Sequence, residues 1–390
     1  IKGVKRGGIW KRILRPVREL LNYRRFLVLR KRAYFYEDIC FKFLPIFIQK
    51  IIKSLPFFKN ALKSSAVKNV LVLVEWIAPA EKNITNQILS KNPSVVLVAF
   101  RNRPSSSPDL DYIKSAKKLG IPVVIPTPSW DNLSSKGLIQ IHPDKLLVWN
   151  KEQKDEAIEH HKINPNRISI VGSYQFDEWR MMQNPPDTRD EWLKKIGLSP
   201  KQEYVLYLGS GAVTGDSTAV VEELRRGMDE SEDKRVSSMA ILVRPAPNNF
   251  VAFDGFNKKG VVIFPKSPVS LSTDIGKDIL LKSIYYSIAA VTIHTTGIID
   301  AMLRGKPGFV ILRPEYEKLQ HAEHFAHLLK SGAAISFRDG NEFARNLSDI
   351  LSGKDKASRA REDFIQKFIL PPDGYKTAGE CAADEIEKLL

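Results

Sequence analysis

The sequence predicts an α/β protein with two Rossmann-like, doubly wound halves behind a basic helical extension. Three observations lead there. From Val67 to about Gly172, short apolar runs alternate with helical patterns, which is the signature of a parallel sheet. A polar stretch with Pro185-Pro186 follows, and a second alternating series starts at Tyr204. The 390 residues exceed one ordinary core and suit two domains. The expected boundaries are 1–68 for the extension, 69–182 and 204–370 for the two halves, 183–203 for the link and 371–390 for a last helix.

The extension carries roughly eighteen Lys and Arg against three acidic residues. They are interleaved with Trp10, Ile13, Leu14, Val17, Leu20, Leu21, Tyr23, Phe26 and Leu27, a pattern of amphipathic helices. The whole chain has a net charge of +16. Such a balance suits an anionic partner, and charged helices with aromatic stripes suit an anionic membrane surface. The alternative is that these helices pack on the domain that follows. No nucleic-acid-binding module is visible, so no nucleic-acid partner is expected. Removing residues 1–68 is expected to abolish membrane binding and leave nucleotide affinity nearly unchanged. The two cysteines, Cys40 and Cys381, lie too far apart in sequence to suggest a metal pair or a disulfide framework. The expected place is the cytoplasm, at the inner face of the membrane.

In the first half, strands are expected at 70–74, 95–100, 121–125, 145–149 and 168–172. Helices are expected at 83–89, around 110–119 and at 152–161. Open α/β sheets bind ligands beyond the carboxyl ends of their strands. Those ends carry Glu75, Arg101, the loop Ser129-Trp130-Asp131-Asn132 with Lys136 beyond it, and Asn150. In the second half, strands are expected at 204–208, 240–243, 261–264, 289–293 and 308–312. The first runs into Gly209-Ser210-Gly211, a turn that lets a phosphate approach the backbone. No Lys-Ser/Thr follows it, so it is not a Walker loop. The second leads into Arg244-Pro245. After 289–293 come His294-Thr295-Thr296-Gly297 and a helix bearing Asp300, which together suit a phosphate and a ribose.

The motifs then make a resemblance specific. Ser129-Trp130-Asp131-Asn132-Leu133-Ser134-Ser135-Lys136-Gly137 is followed by Pro143-Asp144 and Leu147-Val148-Trp149-Asn150. Gln153, Glu156-Ala157, His160, Arg167 to Gly172 and Phe176-Asp177-Glu178-Trp179 continue it. Leu242-Val243-Arg244-Pro245, the Thr-Thr turn, Gln320 and His324-Phe325 agree in the second half. This resembles bacterial surface-polysaccharide proteins with a GT-B fold, in which two Rossmann-like domains face a cleft. They are similar to CDP-glycerol glycerophosphotransferases and capsule glycosyltransferases. Two positions depart from the pattern: Ala246 stands where relatives carry a His, and Asp300 where they carry a Glu.

The resemblance implies transfer from a nucleotide-activated sugar or polyol to a glycan or lipid-linked acceptor, with no cofactor and no metal. It implies donor contacts from Gly209, Ser210, Gly211, Arg244, Thr295, Thr296, Asp300 and His324. The acceptor side would be Arg101, Trp130, Asn132, Lys136 and Asn150, with Asp131 or Glu75 as base. Each has a plainer reading. Asp131 closes an Asx turn, Glu75 pairs with Arg101, Trp130 fills core, and His324 belongs to an exposed helix with His321 and His327. A non-hydrolysing sugar-nucleotide 2-epimerase shares the fold and stays open as an alternative. So does a non-catalytic nucleotide-sugar-binding protein.

Overall fold

The computed structural model describes residues 3–29, 34–100 and 107–390. Before the first sheet come α1 (Gly8–Val28), α2 (Tyr34–Phe43), α3 (Ile46–Ser54), α4 (Pro56–Ala61), α5 (Ser65–Ile77) and α6 (Lys82–Leu89). The first alternating series is β1 (Val96–Leu97), α7 (Asp109–Lys118), β2 (Val123–Pro126), α8 (Asn132–Ser135), β3 (Lys145–Val148), α9 (Lys151–His161) and β4 (Ile168–Ile170). Next are α10 (Asp177–Met181) and α11 (Arg189–Ile196). The second series opens with β5 (Tyr204–Leu208), α12 (Thr218–Asp229), α13 (Lys234–Ser238), β6 (Ala240–Arg244), β7 (Val261–Ile263), α14 (Asp274–Tyr285) and β8 (Ala290–Thr292). It ends with α15 (Gly297–Leu303), β9 (Gly308–Ile311), α16 (Glu317–Gln320), α17 (Glu323–Ser331), β10 (Ile335–Phe337) and α18 (Gly340–Leu351). The last helices are α19 (Ser358–Phe364) and α20 (Ala378–Glu387).

The chain divides into two compact units. The first holds Ile1–Asp177, His321–His324 and Gln366–Leu390; the second holds Glu178–Gln320 and Phe325–Ile365. Every paired strand is parallel. The first unit has a four-stranded sheet ordered β1-β2-β3-β4, and the second a six-stranded sheet ordered β10-β9-β8-β5-β6-β7. The second order is doubly wound. From β5 the chain builds outward through β6 and β7, then returns to the other side of β5 with β8. β5 and β6 are buried along their whole length, as the centre of a sheet covered on both faces requires.

Residues 70–74 are a helix, not the expected strand. Ser64 caps α5 by accepting from the Val67 N–H at 3.2 Å. Leu71 and Glu75, four residues apart, are the buried positions of α5. A short apolar run fits a buried strand or a helix equally well, and tertiary packing decides. The link 183–203 carries a helix, as its Arg- and Asp-rich stretch suggests. It contains α11, whose Thr188 and Glu191 form a capping box and whose Trp192 is fully buried, with Nε1 donating to the Tyr204 hydroxyl at 3.0 Å.

The basic extension is a set of helices whose inner faces complete the first unit. In α1 the apolar residues Leu14, Val17, Leu21, Tyr23, Phe26 and Leu27 are buried. Arg18 is buried with them and donates to both oxygens of Glu75 (2.8 and 3.0 Å) and both of Asp111 (2.8 and 3.3 Å). Arg6 adds a 2.8 Å bond to Asp111, and Lys114 pairs with Glu75 at 3.3 Å. Burial works against the Arg18 charge, but Glu75 and Asp111 outweigh it and hold its pKa above the ordinary value. Residues 1–68 therefore hold neutralising charges of the first unit, and their removal would leave Glu75 and Asp111 short of them.

Arg18→Met should lower the unfolding free energy by about 3–5 kcal/mol, because two buried carboxylates lose their main counter-charge. Arg235→Met, which breaks the surface pair with Glu203, should cost no more than about 1 kcal/mol. Urea unfolding of the two variants beside the parent measures the contrast.

Candidate functional site

The order of the second sheet opens a crevice where neighbouring connections leave in opposite directions, beyond the carboxyl ends of β5 and β8. The residues there are those the sequence singled out. Gly209 follows β5 and donates its N–H to the Arg244 carbonyl at 2.9 Å. A Cβ on Gly209 would lie 2.9–3.0 Å from the backbone of Arg244, Pro245 and Ala246, so only glycine fits. Ser210 is buried and its hydroxyl accepts from the His294 N–H at 3.0 Å, which ties the turn after β5 to the turn after β8. The N–H groups of Ser210 and Gly211 donate to no described residue.

Arg244 ends β6 and is buried, and its Nε has no hydrogen-bond partner. Burial lowers its pKa, and Asp300 opposes that shift. Asp300 lies in the first turn of α15. Burial pushes its carboxyl up to about 7, while Arg244 pulls the other way. The two side chains thus sense each other without an ion-pair contact. Thr295 is used locally, its hydroxyl accepting from the Gly297 N–H at 3.4 Å, and the Thr296 side chain makes no cap bond. The N–H groups expected to be free at this turn are partly engaged.

Three supports have roles that the motifs did not announce, although His294, Gln320 and Phe325 stand within them. Asn249 donates to the carbonyls of Ser210 (3.2 Å) and Gly215 (2.8 Å), bracing the glycine turn. Gln320 donates to Ile293 (3.1 Å) and Ile311 (2.6 Å), bracing the ends of β8 and β9. The His294 ring stacks on Phe325 with centroids 4.4 Å apart. The Asn248-Asn249 pair after Arg244-Pro245 was the available signal for the first of these.

The remaining candidates lie in the first unit. Glu75 does not sit at a strand end. It is buried on α5 within the Arg18 network, so its carboxylate is committed to holding α1. The expected pairing with Arg101 falls on a residue outside the described ones. Asp131 pairs with Lys136 at 2.8 Å and accepts from the Ser135 hydroxyl at 3.1 Å. Burial raises its pKa, but Lys136 and His324 outweigh that and bring it to about 2. Trp130 is buried, edge-on to His324 (5.0 Å) and to Phe368 (6.5 Å). His324 is therefore a buried neighbour of Trp130, not a member of an exposed helix, and it falls in the first unit rather than with Arg244. Asn132 donates to the Phe100 carbonyl at 3.0 Å. Asn150 caps α9 and donates to the Phe368 carbonyl at 2.8 Å.

The loop that bears Asp131 is held by α1. Arg25 donates to the carbonyls of Leu133 (3.3 Å) and Ser134 (2.9 Å), and Asn22 accepts from the Leu138 N–H at 2.7 Å. His161 also holds it, through Leu133 and Ile139, and burial keeps its ring neutral. Among the described residues, no group of His, Cys, Asp and Glu is placed to hold a metal ion. Among them too, no helix is long and apolar enough to cross a membrane.

No family model matches the chain, and no curated protein matches it in sequence. Solved structures do resemble it. The UDP-GlcNAc 2-epimerase of Methanocaldococcus jannaschii is 16% identical over 83% of each chain, with a TM-score of 0.52. The S. aureus MnaA–UDP structure is 12% identical over 79% of this chain and 80% of that one, with a TM-score of 0.51. Anabaena HepE, a structure in complex with UDP, is 11% identical over 79% and 82%, with a TM-score of 0.48. At such identities the likeness shows the fold alone, which is the GT-B class of two Rossmann-like α/β units.

The raised pKa of Asp300 gives a sign for pH dependence. Below about pH 4 this carboxyl is protonated in the folded and unfolded chain alike. Between about 4 and about 7 the unfolded chain releases the proton and the folded chain keeps it, so stability falls as pH rises through that window. Asp300→Asn should remove this slope. It should gain at most about 4 kcal/mol over the parent near pH 8 and nothing near pH 4, as read by urea unfolding at both values.

Proposed function

We propose that the protein is a GT-B glycosyltransferase or glycerophosphotransferase of cell-surface polysaccharide synthesis, using a nucleotide-activated sugar or polyol donor. The observation that carries this reading is the crest of the second sheet. A glycine turn with open N–H groups and a buried, underused Arg244 meet there at the strand-order reversal. Such a site suits a diphosphate, whose charge the guanidinium and the N–H donors neutralise as the bond to the sugar breaks. Thr295 and Thr296 add hydroxyls. Asp300 faces the ribose hydroxyls, and its carboxyl can accept from them whether or not it carries a proton.

The acceptor belongs to the first unit, beside Trp130, Asp131, Asn132, Lys136 and Asn150. Asp131 is an ionised carboxylate across the physiological range and a weak base at a pKa of about 2. Its contribution is to orient an acceptor hydroxyl, with the proton leaving late as the new bond forms. The acceptor is a glycan or lipid-linked chain at the inner face of the cytoplasmic membrane, and neither a metal nor another cofactor takes part.

Calorimetry with UDP-, GDP- and CDP-linked donors tests the reading. Arg244→Ala should weaken binding by about 1.5–3 kcal/mol, the range of a hydrogen bond to a charged group. Asp300→Asn should cost less, and Asp131→Asn should spare binding and reduce transfer. Parent-like binding by Arg244→Ala would remove the donor site. Incubation without any acceptor separates the epimerase reading, since accumulation of the epimeric sugar nucleotide would replace the transferase. Binding without turnover under any acceptor would leave a non-catalytic binding protein.

A further inference from the structure

Helix α5 is built inside out. Its buried residues are Leu71 and Glu75. Val70, Leu73, Trp76 and Ile77 point away from the protein, with Trp76 77% exposed. A helix on a soluble protein ordinarily buries its apolar face, yet here the inward carboxylate is neutralised by Arg18 and the apolar side chains are left outside. Helix α3 does the same on a smaller scale. Ile48 and Ile52 face the core with Tyr23 and Leu27, while Ile46 (72% exposed) and Phe47 point outward. Phe57 of α4 is also exposed (66%). Apolar exposure concentrated in this way marks an interaction surface.

The exposed charges of the same helical segment are almost all of one sign. Lys11, Arg12 and Arg15 of α1, Lys50 and Lys53 of α3 and Lys68 of α5 are all exposed. Against them, Asp38 is the exposed acidic residue among the described residues 3–80. We infer that the outward face of α5, flanked by α3 and α4, is a docking surface for an anionic lipid bilayer. Apolar side chains of this size reach the boundary between headgroups and acyl chains while lysine and arginine meet anionic headgroups. An exposed Trp suits that depth. A second copy of the chain is the poorer occupant, because a symmetric contact would bring two cationic rims together. This surface supplies the membrane side of the function proposed above and uses no donor residue. It also moves the contact from α1, whose apolar stripe is core, to a helix that begins near the end of the basic extension.

Flotation of the full chain with vesicles tests the inference. The parent should float with phosphatidylcholine vesicles containing phosphatidylglycerol, and far less with phosphatidylcholine alone or in high salt. The Leu73→Ser/Trp76→Ser double variant should lose about tenfold in bound fraction, with an unchanged thermal melt because both residues are exposed. Val251→Ser, at an exposed apolar position of the second unit, should float like the parent. Trp76 emission should be quenched by brominated lipid, and that quenching should vanish in Trp76→Phe. Parent-like flotation of the double variant, or no flotation of the parent, overturns the inference. So does a parent dimer in light scattering that the double variant abolishes. Donor calorimetry on the double variant should match the parent, so failure of the membrane surface is read apart from failure of the donor site.

Discussion

The second unit depends on one constraint: β5 must pair in parallel with β6 on one side and β8 on the other. A parallel neighbour needs a crossover, and the connections that leave β5 and β8 run in opposite directions, toward β6 and toward β9, so the carboxyl ends of these two strands are left uncovered. Its geometry is then fixed by two backbone-scale contacts. Gly209 lies against Arg244 to Ala246 with no room for a Cβ, and Ser210 accepts from His294 across the crevice. Arg244, the last residue of β6, and Asp300, in the helix after β8, are placed by these contacts. The charge arrangement is a consequence of topology before it is a matter of side-chain choice.

The first unit solves a different problem. Its sheet grows in one direction only, β1 to β4. The segment expected to supply a further strand before β1 is instead the helix α5. α1 lies at the centre of that arrangement. It packs Val17 and Leu21 against Leu71 in one cluster, and Tyr23 and Leu27 against Ile48 and Ile52 in another. Arg18, Asn22 and Arg25, spaced by four and three residues, reach a carboxylate pair and the loop after Asp131 from the same helix. The loop that carries the acceptor candidates is therefore only as ordered as α1.

What the sequence revealed follows from how local each feature is. The turns at Gly209–Gly211 and Thr295–Gly297 were legible because small residues directly after an apolar run declare a strand end. Arg244 and Asp300 were legible for the same reason. The role of Glu75 was not, because its partner Arg18 lies 57 residues away and no local pattern links them. The strand expected at 70–74 failed because its β-branched run carries no length or flanking signal strong enough to exclude a helix. The exposed-helix reading of His324 failed because its neighbours in sequence, His321 and His327, suggested an exposed face, whereas His324 is buried and its neighbour in space is Trp130. Asn249 and Gln320 act on backbone carbonyls, a use that residue type alone does not announce.

The first unit is completed by residues 366–390, which follow the whole of the second unit in sequence. Phe368 offers its carbonyl to Asn150 and its ring to Trp130, Glu385 pairs with Lys145, and Asp177 accepts from the N–H groups of Ala378 and Gly379. The second unit, by contrast, lies wholly within residues 178–365. During synthesis the second unit has all its residues before the first does, although the first is started earlier. On the ribosome the nascent first unit must wait, with its sheet and the Trp130 surface uncovered, until residues 366–390 have emerged. That order of completion makes the interval before they emerge the time of greatest exposure for the first unit, and a holding chaperone would act there on the unit begun first.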